Sequence, residues 1–187
     1  MGHQLCLIHA EDNAPAQYTV EVAIELRPSD KNLAIEFMVT SFSYPWNIND
    51  RFHTDSRKNW GLWEHDVVEV FWQNRTFPDE INHSYLEWQI APNNKHFFLE
   101  ISRPRLVYAT PLKYPITCNS RFIGKNQWLA EFFIPTDLYA HFPYHHLGLF
   151  AILGPKNSRQ FFALQGQPTL KPNFHRPENF LPLSTLS

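Results

Sequence analysis

Apolar residues in this chain recur with a period of two, segment after segment, and that period belongs to strands that bury one face. Tyr18–Arg27 shows it most cleanly: Tyr18, Val20, Val22, Ile24 and Leu26 fall on one side, Thr19, Glu21 and Glu25 on the other. Turn chemistry follows in Pro28-Ser-Asp-Lys-Asn32. Leu33–Phe42 then alternates again through Leu33, Ile35, Phe37 and Val39, which predicts a hairpin. Gln4–His9, Asp66–Gln73, Tyr85–Ala91, His96–Ser102, Arg121–Ile123, Gln127–Ile134, His146–Leu153 and Gln160–Leu164 are further strand candidates. The one credible helical piece is short, Pro135-Thr-Asp-Leu-Tyr-Ala140. About ten strands with one short helical turn predict an all-β protein, an antiparallel β-sandwich of jelly-roll-like build.

Composition supports that reading and excludes other classes. The 15 prolines against 6 glycines suit proline-punctuated loops between strands, and 16 Phe, 7 Tyr and 6 Trp supply bulky, strand-favouring residues. A length of 187 residues suits a single domain over residues 1–187. A net charge of -2 offers no broad basic surface for nucleic acid. The apolar runs are far shorter than a membrane span. Residues 1–20 carry Glu11 and Asp12 and lack the basic start and apolar stretch of a signal peptide, so a cytoplasmic location is expected. Cys6 and Cys118 make neither a disulfide framework nor a zinc knuckle.

The segment Gly61-Leu-Trp-Glu-His-Asp-Val-Val-Glu-Val-Phe-Trp72 carries the strongest functional signal. A turn bearing Trp63, Glu64, His65 and Asp66 runs directly into a strand. Val68, Val70 and Trp72 face one way on it, and Val67, Glu69 and Phe71 the other. A carboxylate among large apolar residues is costly unless something pairs with it. Trp63 at the mouth of the same strand offers a flat surface on which a sugar ring can stack. The preceding residues 43–61 show no period, and they carry Trp46, Arg51, Arg57 and Trp60. A long aperiodic loop inside a domain is often functional. Trp72, Trp88 and Trp128 lie in strand patterns and are expected in the core, whereas Trp60 and Trp63 are not.

Other chemistries find little support. His141 and His145 are spaced as a helical metal pair, but Pro143 breaks the helix between them. There is no nucleophile elbow, no HExxH and no glycine cluster for phosphate. Glu64, Asp66, Glu69 and Glu87 leave glycoside hydrolysis open. Met38 with a histidine leaves a haem site open.

Leu62–Phe71 looks like the strand entry "PWEQDSVEIF" of family 9 carbohydrate-binding modules. Trp128-Leu-Ala-Glu-Phe-Phe-Ile-Pro135, Tyr85-Leu-Glu-Trp-Gln-Ile-Ala-Pro92 and Asn173-Phe-His-Arg-Pro-Glu-Asn-Phe180 resemble further segments of that group in the same order. The resemblance covers about residues 15–182 and extends to the wider DOMON-like superfamily of β-sandwiches that bind sugars or haem. In family 9 modules two aromatic residues sandwich a sugar while Glu, Arg and Asn hold its hydroxyls. The resemblance places the first aromatic on Trp63, the Glu on Glu69, the Arg near Gln89, the second aromatic near Phe174 and the Asn near Lys171, with Asn173 two residues on. Gln in place of Arg removes a fixed, charged fork, and His175 and Arg176 offer replacement donors.

The expectation is a non-catalytic module. It binds a mono- or oligosaccharide through Trp63, Glu69, Gln89, Asn173, Phe174 and Arg176, without metal or cofactor, nucleic acid or membrane. Two alternatives stand beside it. One is a b-type haem domain using Met38. The other is a glycosidase using Glu69 with Glu64, Asp66 or Glu87. Structural calcium also occurs in relatives, but no Asp-rich loop here demands it.

Overall fold

A computed structural model describes residues 2–9, 17–27, 32–42, 45–53, 55–74, 84–102, 109–111, 116–135, 145–164 and 173–186. The chain is built from strands: β1 (Gly2–His9), β2 (Tyr18–Arg27), β3 (Asn32–Ser41), β4 (Val67–Asn74), β5 (Tyr85–Ile90), β6 (His96–Ile101), β7 (Ala109–Pro111), β8 (Thr117–Phe122), β9 (Gln127–Pro135), β10 (His145–Leu153), β11 (Gln160–Ala163) and β12 (Leu181–Pro182). The helical elements among the described residues are single 3-10 turns at Ser56–Lys58, Leu62–Glu64, Pro177–Asn179 and Leu183–Thr185. The helical turn expected at 135–140 falls, beyond Pro135, outside the described residues.

The strands form two antiparallel sheets joined through β1. Gly2–Leu5 pair with β2, and Cys6–His9 pair with β11, with a register irregularity between Leu7 and His9. Along the hydrogen-bonded path the order is β7-β6-β5-β4-β10-β11-β1-β2-β3-β9-β8, with β12 added to β10. One sheet therefore runs from β2 to β8 and the other from β7 to β11, the arrangement of a β-sandwich. The β2–β3 hairpin pairs Tyr18 with Ser41 and Arg27 with Asn32, in the register that the alternation predicts.

Two apolar layers result, not one. Val20, Val22, Leu33, Ile35, Phe37, Val39, Trp128 and Phe132 meet Val68, Val70, Trp88, Leu147 and Leu149 between the sheets. On the far side of the β7–β11 sheet, Val67, Phe71, Phe97, Leu99, Phe150 and Ile152 form a second cluster with Leu62, Phe174 and Phe180. The continuous apolar run of β10 fits a strand buried on both faces. This second layer is covered by the chain around Leu62 and by the C-terminal segment. Phe180 stands edge-on to Phe71 and Tyr85, at ring-centroid distances of 5.7 and 5.6 Å. Its ring also lies 2.8 Å from the place a Cβ on Gly148 would occupy, so the lack of a side chain there lets the C-terminal segment seat on β10.

Candidate functional site

Strand parity sets the floor of the site. Glu69 of β4 is the register partner of Gln89 of β5, and Glu87 lies two residues before Gln89 on the same face. That face is the outer one of the β7–β11 sheet, so all three polar side chains are surrounded by the second apolar layer and are 1–3% exposed. The Gln89 carboxamide spans the two acids: its Nε2 donates to Glu69 Oε1 at 3.0 Å and to Glu87 Oε1. Gln89 Oε1 and Glu87 Oε2 are left without a hydrogen-bond partner, although buried acceptors are nearly always satisfied. His175 Nδ1 is 3.9 Å from Glu87 Oε2 and shares a hydrogen bond with the Tyr85 hydroxyl.

Burial dominates the electrostatics of this floor. It raises the Glu69 carboxyl well above its ordinary value, helped by the charge of Glu87 and opposed by that of Arg159. It pushes Glu87 up to about 7, against the hydrogen bond from Gln89. Burial also lowers the His175 imidazole, favouring its neutral form.

The wall is aromatic, and polar anchors hold it. Gly61 has φ 88°, a left-handed conformation that a side chain would strain, and it opens the 3-10 turn carrying Trp63. Arg159 donates to the carbonyl of Trp63 at 3.0 Å and to that of Glu64. Buried Asp66 accepts the backbone N–H of Asn47 at 2.7 Å and of Gly154 at 2.6 Å. Burial nevertheless raises its carboxyl to about 6. The buried Asn59 is the knot of the preceding loop: it accepts from His53 N at 2.7 Å and donates to the carbonyls of His53 and His96 at 2.9 Å. These anchors hold Trp60 and Trp63 edge to face at 5.1 Å, both against the buried ring of Phe97. Trp60 remains 59% exposed. On the opposite side Phe174 stacks on Phe150 at 4.3 Å and 15°, with Phe161 edge-on to it.

Between wall and floor lies a cavity of about 340 Å³, a volume that suits a small ligand. It is lined by Trp60, Trp63, Glu69, Glu87, Gln89 and Phe161, together with Asn173, Phe174, His175 and the aliphatic Leu99, Ile101 and Ile152. Trp63, Glu69, Gln89, Asn173 and Phe174, far apart in sequence, are thus brought together. Arg176 is not: the chain turns into the 3-10 turn after it, and its Nε pairs with Glu178 Oε1 at 3.1 Å. Lys171 lies outside the described residues. Phe174 is only 8% exposed, so it offers less ring face than Trp60 or Trp63.

Sequence reasoning left Trp60, Phe161 and Glu87 out of the binding set. Glu87 was signalled by its parity with Gln89, and Trp60 by its place in the aperiodic loop. Phe161 carries no signal that separates it from an ordinary strand aromatic. Trp46 of the same loop packs elsewhere, against Tyr18, Phe122 and Trp128. Met38 lies on the outer face of the other sheet, between the core-facing Phe37 and Val39, away from the cavity. Among the described residues no group of three or more His, Cys, Asp or Glu is arranged to hold a metal ion.

No protein-family model matches this chain. It is 27% identical over 183 residues to the human UPF0462 protein C4orf33, covering 92% of this chain and 83% of that one. To the mouse UPF0462 protein C4orf33 homolog it is 29% identical over 174 residues, covering 87% and 82%. Among solved structures, a candidate carbohydrate-binding protein of Bacteroides uniformis superposes with a TM-score of 0.67 at 12% identity, over 97% of this chain and 84% of that one. A family 9 carbohydrate-binding module of Caldicellulosiruptor kristjanssonii in complex with glucose gives a TM-score of 0.53 at 13% identity, over 90% and 76%. A cellotriose complex of a family 9 module from the same organism gives 0.50 at 11%. At these identities the likeness establishes the β-sandwich fold.

Proposed function

We propose that this protein binds a carbohydrate without transforming it, in the cavity between Trp63 and Phe174. The observation that carries the reading is the convergence, in one cavity, of the exposed Trp60 and half-buried Trp63 rings with a buried polar floor that has unpartnered acceptors. Ring faces stack on the C–H face of a sugar, and Glu69, Glu87 and Gln89 take its hydroxyl hydrogens. That neighbours of the same fold were solved with glucose and cellotriose supports the choice of ligand class.

Catalysis fits the floor poorly. A glycosidase needs two carboxyl groups on either side of the scissile bond. Glu69 and Glu87 stand on one sheet face, tied to a single amide, and approach a ligand from the same side. Glu64 is exposed, and Asp66 is engaged with two backbone amides.

The test is tryptophan fluorescence titrated with glucose, cellotriose and a panel of other mono- and oligosaccharides. Wild type is expected to give a saturable change. Trp63→Ala is expected to lose at least about tenfold in affinity, roughly 1.4 kcal/mol. Absence of a saturable response to every sugar overturns the proposal.

A further inference from the structure

The charges lining the cavity specify its ligand more narrowly than a sugar in general. Among the described residues that line it, Glu69 and Glu87 are the acids, none is Lys or Arg, and the one basic side chain, His175, is held toward its neutral form by burial. Arg159, the cation felt by Glu69, is engaged with the Trp63 and Glu64 carbonyls. The floor is short of donors: Gln89 gives its Nε2 to both acids, while Gln89 Oε1 and Glu87 Oε2, on side chains 1% and 3% exposed, accept nothing. Burial favours the protonated form of both acids, so a cation that enters displaces their protons and is held by the carboxylates it ionises.

A hydroxyl brings one donor and two lone pairs of its own, whereas an ammonium group brings three donors and a positive charge. Hydrogen bonds from a cation to a carboxylate are the stronger kind. The rings around the cavity point to the same charge, because the π-faces of Trp60, Trp63, Phe161 and Phe174 attract cations and also stack on sugar C–H groups.

We infer that the preferred ligand is an amino sugar with a free amine, its ammonium group set on the Glu69–Gln89–Glu87 floor and its ring against Trp63. This rests on the carbohydrate reading and deepens it. N-acetylation removes the charge and replaces two donors by an acceptor carbonyl, so the acetylated sugar loses the advantage.

Isothermal titration calorimetry of the full chain at neutral pH tests it with glucosamine, glucose, N-acetylglucosamine and ethanolamine. Glucosamine is expected to bind at least about tenfold more tightly than glucose or N-acetylglucosamine, and ethanolamine, which has the amine without the ring, more weakly than glucosamine. Glu69→Gln and Glu87→Gln are expected to shrink the glucosamine-to-glucose ratio, while the exposed Glu100→Gln keeps it. Glucose or N-acetylglucosamine binding as tightly as glucosamine overturns the inference and leaves the carbohydrate reading in place. Ethanolamine binding as tightly as glucosamine overturns both, and no binding by any of the four overturns the inference while the carbohydrate reading is decided by the wider panel of mono- and oligosaccharides. The comparison of ligands on wild type stands even if a floor variant does not fold.

Discussion

Glu87 is where the chemistry of a single residue becomes measurable. Its carboxyl is raised from 4.5 to about 7 by burial, so in the folded state it holds its proton over a range where the unfolded chain has released it. The stability this proton confers is complete below about pH 4.5 and is lost as pH rises through about 7. Integrated over that shift the effect reaches on the order of 3 kcal/mol at most. Glu69 and Asp66 are raised in the same direction, while Arg159 pulls both down. The groups facing Glu87 are Glu69, Gln89, His175 and Tyr85. Denaturant unfolding of the ligand-free protein is therefore expected to show stability falling between about pH 4.5 and 7 and levelling off above that. Glu87→Gln is expected to flatten that slope and to raise stability at pH 8 by about 1–3 kcal/mol. An unchanged slope means that Glu87 is already ionised in the folded protein. Trp63 and Glu69 could be read from the sequence because turn chemistry and strand parity are local properties. That Glu87 shares their cavity depends on the register between β4 and β5, a long-range fact. Arg176 was misplaced because adjacency in sequence to Phe174 says nothing about which way the next turn takes the side chain.

Among elements, alternation gave the β2–β3 hairpin and most strand cores to within a residue or two; β8, expected only from Arg121, begins at Thr117, and β7 and β12 escaped because three and two residues are too few to show a period. The site depends on how two non-strand elements are fastened. The turn Leu62–Glu64 is tied to the loop after β10 by Arg159 and Asp66, so Arg159→Ala removes both hydrogen bonds to the Trp63 and Glu64 carbonyls. Sugar affinity is expected to fall several-fold, with a change in stability of about 1 kcal/mol; calorimetry and thermal unfolding on the same sample separate the two effects. The C-terminal segment depends on Gly148. A Cβ there meets the Phe150 ring at 2.6 Å and the Phe180 ring at 2.8 Å, so one or both rings must shift. Gly148→Ala is expected to cost about 1–3 kcal/mol. It is also expected to weaken binding, because Phe150 supports Phe174 and Phe180 anchors the segment bearing Asn173 and His175. Retention of full affinity would show that the segment seats independently of that contact.

The whole molecule is a sandwich with an extra apolar layer outside one sheet, and the sequence announced it only obliquely. Alternation predicts one buried face per strand, which holds for β3, with Leu33, Ile35, Phe37 and Val39 inward and Glu36 and Met38 half-buried outside. In β4 and β10 both faces are apolar, and from the sequence such runs do not say what covers the second face. The cover comes from the C-terminal segment and from the chain around Leu62, both remote in sequence from the strands they shield. Burial on both faces has a dynamic consequence. Amides in the centres of β4 and β10, paired Val70 to Leu149 and Val68 to Ala151, open only when both apolar layers are breached. Among the described residues β8 is paired on one side only, with β9, and it carries exposed Thr117, Arg121 and Phe122. Native-state hydrogen exchange is expected to be slowest in Val68–Phe71 and Leu147–Ala151 and faster by orders of magnitude in Thr117–Phe122. A saturating sugar is expected to slow exchange further in the turn around Trp63 and in residues 173–176, with little change in β2 and β3. If β4 and β10 exchange faster than β2 and β3, the outer layer does not cohere in solution, and the cavity it walls is not the rigid site that the geometry describes.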